Sequence, residues 1–351
     1  MTASQQPTSP APAGQRQVWR TPQAGDLAQL SLQTEALPDL PADAVRVDVR
    51  AVGLNFADIL ALTGMYSAAP TGAFIPGLEL AGVVSAVGSA VTEFKVGDRV
   101  MGSVRFGAYA SVVDVAADRL QPLPDSWSFA EGAAFFVQTF AAWYGIHHLG
   151  AAKPGQRALI HSAAGGVGLQ AVRICKALGI DVVGTVGNVD KVEFLKSQGV
   201  SDVLVREPDF AAQLKRELAD KPIHLVLDAV GGKVQEASFK ALAPTGRLVV
   251  YGATVFAPGE RKMRRFHMLL EYLRRPRYDA LSMISENRAL LAFNLIWLWE
   301  QREFFDAMIR EIATLKLPAP HVGHQFRFDE APQALELLRS GRSVGKVVLT
   351  R

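Results

Sequence analysis

The stretch "ALIHSAAGGVGLQAVRICKALG" (158–179) decides the fold. It opens with a short, continuously apolar run, turns on a glycine cluster, and continues with helical period to a glycine that can cap. Strand, glycine turn and helix in that order read as a dinucleotide fingerprint, with Ala163, Gly165 and Gly168 in the three glycine places. Gly165 lets the backbone approach a pyrophosphate, and Gly168 lets the helix pack close to the strand. The helix N-terminus then faces the negative charge. Ala164, Gly165, Gly166, Val167 and Gly168 are therefore assigned to a cofactor. A glycine cluster alone is weak evidence, since many tight turns need one; the strand and helix around it make it specific.

Working outward, the texture repeats. "DVVGTV" (181–186), "SDVLV" (201–205), "LVLDAV" (225–230) and "RLVVYGA" (247–253) are short apolar strands separated by helical segments such as "KVEFLKSQG". Such alternation implies a parallel sheet covered on both faces, hence an α/β, doubly wound domain. "LLAFNLIWL" (290–298) reads as its sixth strand. Ligands bind beyond strand C-terminal ends in open parallel sheets, so Tyr251, Gly252 and Ala253 join the cofactor set. In NAD binders an acid about 20 residues past the fingerprint grips the ribose hydroxyls. Here the second strand ends "GTVGN" (184–188), with Gly187 and Asn188 and no acid at its tip, which favours NADP(H). Lys191 and Arg206 could supply positive charge to the extra phosphate, while Asp190 weighs the other way. Either cation alone reads equally well as a solvated surface charge; together with the missing acid they favour phosphate contact.

Upstream, "AVRVDVRAVG" (44–53) alternates strictly, with Val45, Val47, Val49 and Ala51 on one face and Arg46, Asp48 and Arg50 on the other, as in a half-buried strand. "AGVVSAVGSAVTEFKVGDRVMG" (81–102) adds apolar runs cut by Gly88 and Gly97, which suits antiparallel connections. The final "FRFDEAPQALELLRSGRSVGKVVLT" (326–350) reads strand, helix, strand, and is expected to return to the N-terminal domain. With 351 residues, 49% hydrophobic and 20% charged, the chain has room for two ordinary globular domains. The opening "MTASQQPTSPAPAGQ" (1–15) cannot bury an apolar face and reads as a disordered tail rather than a signal peptide. The most apolar stretch, "ALLAFNLIWLW" (289–299), is about half the roughly 20 residues a bilayer needs. A net charge of +3 makes no case for nucleic acid. One cysteine, Cys175, excludes an intramolecular disulfide and an all-cysteine zinc site, and reads as packing.

These segments carry a family pattern. "GLNFADI", "PGLELAGVVSAVG", "KVGDRVMG", "AAKPGQRALIHSAAGGVG", "DAVGG" and "SVGKVVL" resemble, in order and spacing, the zinc-free quinone oxidoreductase (zeta-crystallin-like) group of the medium-chain dehydrogenase/reductase superfamily. "ERKMRRFHMLL…ISENRALLAFNL" looks closest to its synaptic vesicle membrane protein homologue branch, a name that is no evidence of transport. The resemblance implies a GroES-like, β-rich catalytic domain (16–137 and 301–351) and a Rossmann NADP-binding domain (138–300), with substrate in the cleft between them. In the zinc enzymes of this superfamily a Cys at the Asn55 place and a His at the Leu78 place hold the metal. An amide and an isobutyl group cannot replace a thiolate and an imidazole on Zn²⁺, so no metal site is expected. "HVGH" (321–324) has no acid or cysteine partner nearby and reads as a loop or strand pair, and His147-His148, which point in different directions on a helix, read the same way as structural.

Without a Lewis acid, alcohol oxidation is disfavoured, whereas a quinone or α,β-unsaturated carbonyl delocalises incoming hydride charge itself. The resemblance therefore implies a zinc-independent, NADPH-dependent quinone or enone oxidoreductase acting on a small molecule, and, with nothing that marks the protein for export, a cytoplasmic location is expected. Rivals are an enoyl-thioester reductase of a biosynthetic pathway and a low-turnover, NADPH-binding scaffold or membrane-associated protein. Tyr66, in "TGMY" (63–66), takes the place that resembles the proton-donor tyrosine of related enoyl reductases; a packed interface tyrosine is the competing reading. Asn55 could donate to the substrate carbonyl or the nicotinamide ribose, and Asp58 reads as orienting or structural. A family threonine near the nicotinamide is Ala141 here, which removes one cofactor hydrogen bond. Gly345 and Lys346 are expected to close over the cofactor from the other domain. The edge strand 290–298 is expected to pair with its twofold mate in a homodimer. The basic, amphipathic "ERKMRRFHMLLEYLRRPR" (260–277) reads as a solvated helix packing over the substrate cleft, in preference to a surface for an anionic partner.

Overall fold

The computed structural model describes residues 14–256 and 270–351. It separates into two compact units: the chain up to Phe136 with Val322–Leu338 and Lys346–Arg351, and Val137–His321 with Arg339–Gly345. Most of the expected tail (1–15) and residues 260–269 of the basic stretch lie outside the described residues.

The first unit is built on a seven-stranded sheet. Its order is β14 (Val322–Arg327), β15 (Lys346–Thr350), β3 (Ala44–Gly53), β4 (Glu79–Val87), β5 (Arg99–Ser103) and β7 (Leu120–Pro122), with β6 (Val112–Ala116) also paired to β3. All pairings are antiparallel except β14 with β15. The hairpin of β1 (Gln15–Arg20) and β2 (Ser31–Ala36) adds a second, small sheet. The alternation of β3 has its physical consequence: Val45, Val47 and Val49 are fully buried and Arg50 is exposed. The valines join Leu80, Val100, Tyr109, Phe328 and Val347 in one core.

The second unit carries a parallel six-stranded sheet in the order β10 (Asp202–Val205), β9 (Asp181–Val186), β8 (Arg157–Ile160), β11 (Ile223–Asp228), β12 (Leu242–Val250), β13 (Ala289–Ala292). The chain runs outward from β8 to β10, then crosses back to β11. The β8/β11 boundary is thus the switch point at which doubly wound sheets bind ligands. The glycine turn follows β8, so the sequence places it there.

Two boundaries differ from the sequence reading. The return to the first unit comes at Val322 rather than at 301, because helix Arg302–Thr314 buries Phe305, Met308 and Ile312 within the second unit, with Phe305 against Phe140 at 5.6 Å. The sixth strand covers 289–292, not 290–298. Asn294 accepts a hydrogen bond from the Ile296 backbone and starts a 3₁₀ turn over Leu295–Leu298. No helix among the described residues is long and apolar enough to cross a membrane.

Candidate functional site

The second unit places a glycine turn at its switch point. After β8, Ser162 takes a left-handed conformation (φ 52°), and Gly165 stands in extended conformation as N-cap of α4 (Gly166–Ala177). A Cβ on Gly168 would lie 2.4 Å from Ser162 O and 2.6 Å from Ala163 Cα, so only glycine allows this helix–strand approach. Among the described residues, a Cβ on Gly165 would meet only Ser162 O, at 3.2 Å. Ala164 and Val167 lie in the same turn, and Gly345 seals its flank, its N–H donating to Ala164 O at 2.8 Å. Tyr251, Gly252 and Ala253 follow β12 beside the end of β11, with Tyr251 N donating to Asp228 O at 3.0 Å.

At the tip of β9, a Cβ on Gly187 would lie 3.1 Å from an Arg206 guanidinium nitrogen, so Arg206 lies over this glycine. Arg206 donates to Thr185 Oγ1 at 3.1 Å, and no carboxylate among the described residues forms an ion pair with it. Burial lowers its affinity for its proton, only partly offset by Asp228. Lys191 behaves differently from the sequence reading. Its Nζ donates to Gly341 O at 2.6 Å and Ser343 O at 2.7 Å, tying down the 339–345 loop. Burial, then the nearby Arg206, hold its pKa below the ordinary lysine value. Asn188 caps the turn by accepting from Asp190 N.

The first unit holds a buried polar cluster. Asn55 ends β3 and begins α1 (Phe56–Leu62); its Nδ2 donates to Glu79 Oε1 at 3.0 Å and to Gly53 O at 3.2 Å, and its Oδ1 accepts from Lys346 Nζ at 2.9 Å. Lys346 and Glu79 pair at 2.5 Å and are 3% and 0% exposed. Burial pulls the Lys346 pKa down against the carboxylate that holds it up. These partners fix which end of the amide is oxygen. Both amide hydrogens of Asn55 are engaged, so the donor role expected toward a substrate carbonyl does not fit this arrangement.

Asp58 is wholly buried. Its Oδ2 accepts from Asn55 N at 2.8 Å and Tyr109 Oη at 3.1 Å, and its Oδ1 has no partner among the described residues. Burial pushes this carboxyl up to about 7. It can brace the Asn55 turn and is covered from any substrate. Tyr66 is half-buried and packs on the first unit's core.

Sequence reasoning missed three buried polar residues: Glu79, Tyr109 and, in the second unit, His161, whose ring lies between Thr185 Oγ1 and Ser238 Oγ at 2.8 Å each. Glu79 sits in the Gly-Leu-Glu motif and could have been flagged as an acid left behind where a metal motif lost its histidine. Nothing local marks Tyr109 or His161, whose roles depend on long-range contacts. Leu78 is a buried apolar side chain, and among the described residues no group of three or more His, Cys, Asp and Glu side chains could hold a metal ion. His148 pairs with Glu311 at 3.1 Å and His147 stacks on Trp143 at 4.3 Å.

A switch-point glycine turn in one unit and a mainly antiparallel sheet that reclaims the chain's end in the other define the medium-chain dehydrogenase/reductase architecture. Comparison with known proteins agrees. Residues 41–125 match the family model "Alcohol dehydrogenase GroES-like domain", and residues 166–277 match "Zinc-binding dehydrogenase". The synaptic vesicle membrane protein VAT-1 homolog of Homo sapiens is 31% identical over 332 residues, 93% of this chain and 84% of that protein. The Danio rerio VAT-1 homolog is 32% identical over 318 residues, 89% of this chain but only 65% of that longer relative. The quinone oxidoreductase from Thermus thermophilus, solved also as its complex with NADPH, aligns with a TM-score of 0.77 at 29% identity over 95% of this chain and 100% of that one. The chain belongs to the medium-chain dehydrogenase/reductase superfamily of oxidoreductases, with VAT-1 homologues among its relatives.

Proposed function

We propose that this protein is a zinc-independent, NADPH-dependent oxidoreductase that reduces quinones or α,β-unsaturated carbonyls. The observation that carries the proposal is the Lys346–Asn55–Glu79 cluster. Where zinc relatives have a thiolate and an imidazole, this chain has an amide locked between a lysine and a glutamate, beside the apolar Leu78. That donor set does not suit Zn²⁺. It leaves a reaction in which the acceptor's own π-system carries the incoming charge.

The residues of the second unit fit a phosphorylated dinucleotide. Gly165 and the α4 N-terminus receive a pyrophosphate, and Arg206, which forms no ion pair with a carboxylate among the described residues, meets an adenosine 2′-phosphate. NADPH bound there would supply the hydride. Asn55 Oδ1 suits a donor such as a ribose hydroxyl or carboxamide N–H, rather than a substrate carbonyl. The half-buried Tyr66 hydroxyl is the proposed proton donor to the resulting enolate or phenolate. The exposed Leu281, Ile284 and Trp297, close in sequence to the edge strand β13, support a homodimer through that edge.

The test is NADPH consumption by chelator-treated protein against a panel of quinones, enones and acyl thioesters, with saturated alcohols and NADP⁺ as the reverse control. Turnover of quinones or enones supports the proposal, and turnover confined to acyl thioesters redirects it to a biosynthetic enoyl reductase. NADPH binding without turnover of any compound rejects an enzymatic role.

A further inference from the structure

Behind Arg206 lies a line of buried polar side chains. Arg206 Nη1 is 3.1 Å from Thr185 Oγ1. Thr185 Oγ1 is 2.8 Å from His161 Nδ1, and His161 Nε2 is 2.8 Å from Ser238 Oγ. Ser238 Oγ in turn donates to Val234 O at 2.7 Å. Thr185, His161 and Ser238 are each 0% exposed. They join the end of β9, the residue after β8 and α7 (Gly232–Lys240) across the sheet's nucleotide end.

The protons of this line can be placed by elimination. A guanidinium only donates, so Thr185 Oγ1 accepts from Arg206. The threonine's own proton then needs an acceptor, and among the described residues His161 Nδ1 is the one in reach. His161 is therefore protonated on Nε2 and donates to Ser238 Oγ, whose proton goes to Val234 O. Burial, with the nearby Arg206 charge, holds His161 down to about 3, so the ring is neutral and has one N–H to give. Every hydrogen bond points the same way, from the guanidinium to a helix carbonyl. The opposite tautomer leaves the threonine proton buried with no acceptor, which is costly.

We propose that Thr185, held by His161 and Ser238, is a positioning residue that orients Arg206 toward the cofactor's adenosine 2′-phosphate, and so sets the preference for NADPH over NADH. The inference rests on the proposed NADPH site. A loose arginine at a strand tip would sample many rotamers; one anchored to a fixed hydroxyl acceptor presents its remaining N–H groups in a set direction. Because the anchor is neutral, it adds no negative charge beside the guanidinium, on which Asp228 already acts at longer range. A carboxylate anchor would bind the arginine more tightly and cancel its charge.

The experiment measures binding of adenosine 2′,5′-bisphosphate and of 5′-AMP by calorimetry, for wild type, Thr185→Val, Thr185→Ser and His161→Phe. Wild type must first prefer the 2′-phosphorylated ligand; equal affinity removes the NADPH reading itself. Given that preference, Thr185→Val and His161→Phe are expected to weaken the bisphosphate about tenfold, with 5′-AMP affinity unchanged as a check on folding. Thr185→Ser, which keeps the hydroxyl, is expected to retain the preference. Bisphosphate affinity unchanged in Thr185→Val overturns the inference while leaving the cofactor reading intact. Parallel loss of both ligands in that variant also overturns it, since the residue would then merely support the fold.

Discussion

Replacing Asp58 by Asn is the sharpest probe of the buried cluster in the first unit. The carboxyl ionises near 3.8 when unperturbed and is raised to about 7 by burial. The folded state thus holds a proton that the unfolded chain releases from about pH 4 upward. Its contribution to stability is full below about pH 4 and is lost as pH rises through about 7. At about 1.4 kcal/mol per pH unit, the whole span corresponds to about 4 kcal/mol. Between about pH 5 and about pH 8 the loss is about 3 kcal/mol. Asparagine keeps the size and the oxygen that accepts from Asn55 N and Tyr109 Oη but has no proton to lose. Denaturant unfolding of both proteins across this range, followed by tryptophan fluorescence, is expected to show the variant gaining on wild type by about that amount as pH rises. Parallel stability curves would refute the argument, because Asp58 would then ionise alike in both states.

Lys346→Met removes the cation that pairs with the fully buried Glu79 carboxylate and is expected to cost about 3–5 kcal/mol in denaturant unfolding; adding Glu79→Gln should recover much of that loss. Gly168→Ala drives a Cβ to 2.4 Å from Ser162 O, so nucleotide affinity measured by calorimetry should fall at least about tenfold, with melting temperature falling too. Trp297→Glu, on a side chain 55% exposed, should shift the proposed homodimer to monomer in light scattering without altering the circular dichroism spectrum.

What the sequence reveals follows the range of the forces involved. The parallel sheet was legible because its central strands bury both faces and therefore read as unbroken apolar runs, as Ala158–Ile160 and Leu225–Leu227 do. The glycine turn was legible because Gly168 answers a local steric demand. The sixth strand was overextended because apolar residues persist through Leu298 while Asn294 redirects the backbone. The buried cluster was largely illegible: Lys346 meets Asn55 across 291 residues of chain. Its partners follow from β15 pairing with β3 and β3 with β4, which no local pattern encodes. Lys191 and Arg206 looked equivalent in sequence, and only their partners, loop carbonyls for one and Thr185 for the other, tell them apart.

The most direct test of the central claim is one assay on chelator-treated protein whose zinc content has been measured by mass spectrometry. The account predicts NADPH oxidation by a quinone or enone at undiminished rate with no zinc bound. Stoichiometric zinc whose removal abolishes turnover, or turnover only of saturated alcohols with NAD⁺, would contradict it.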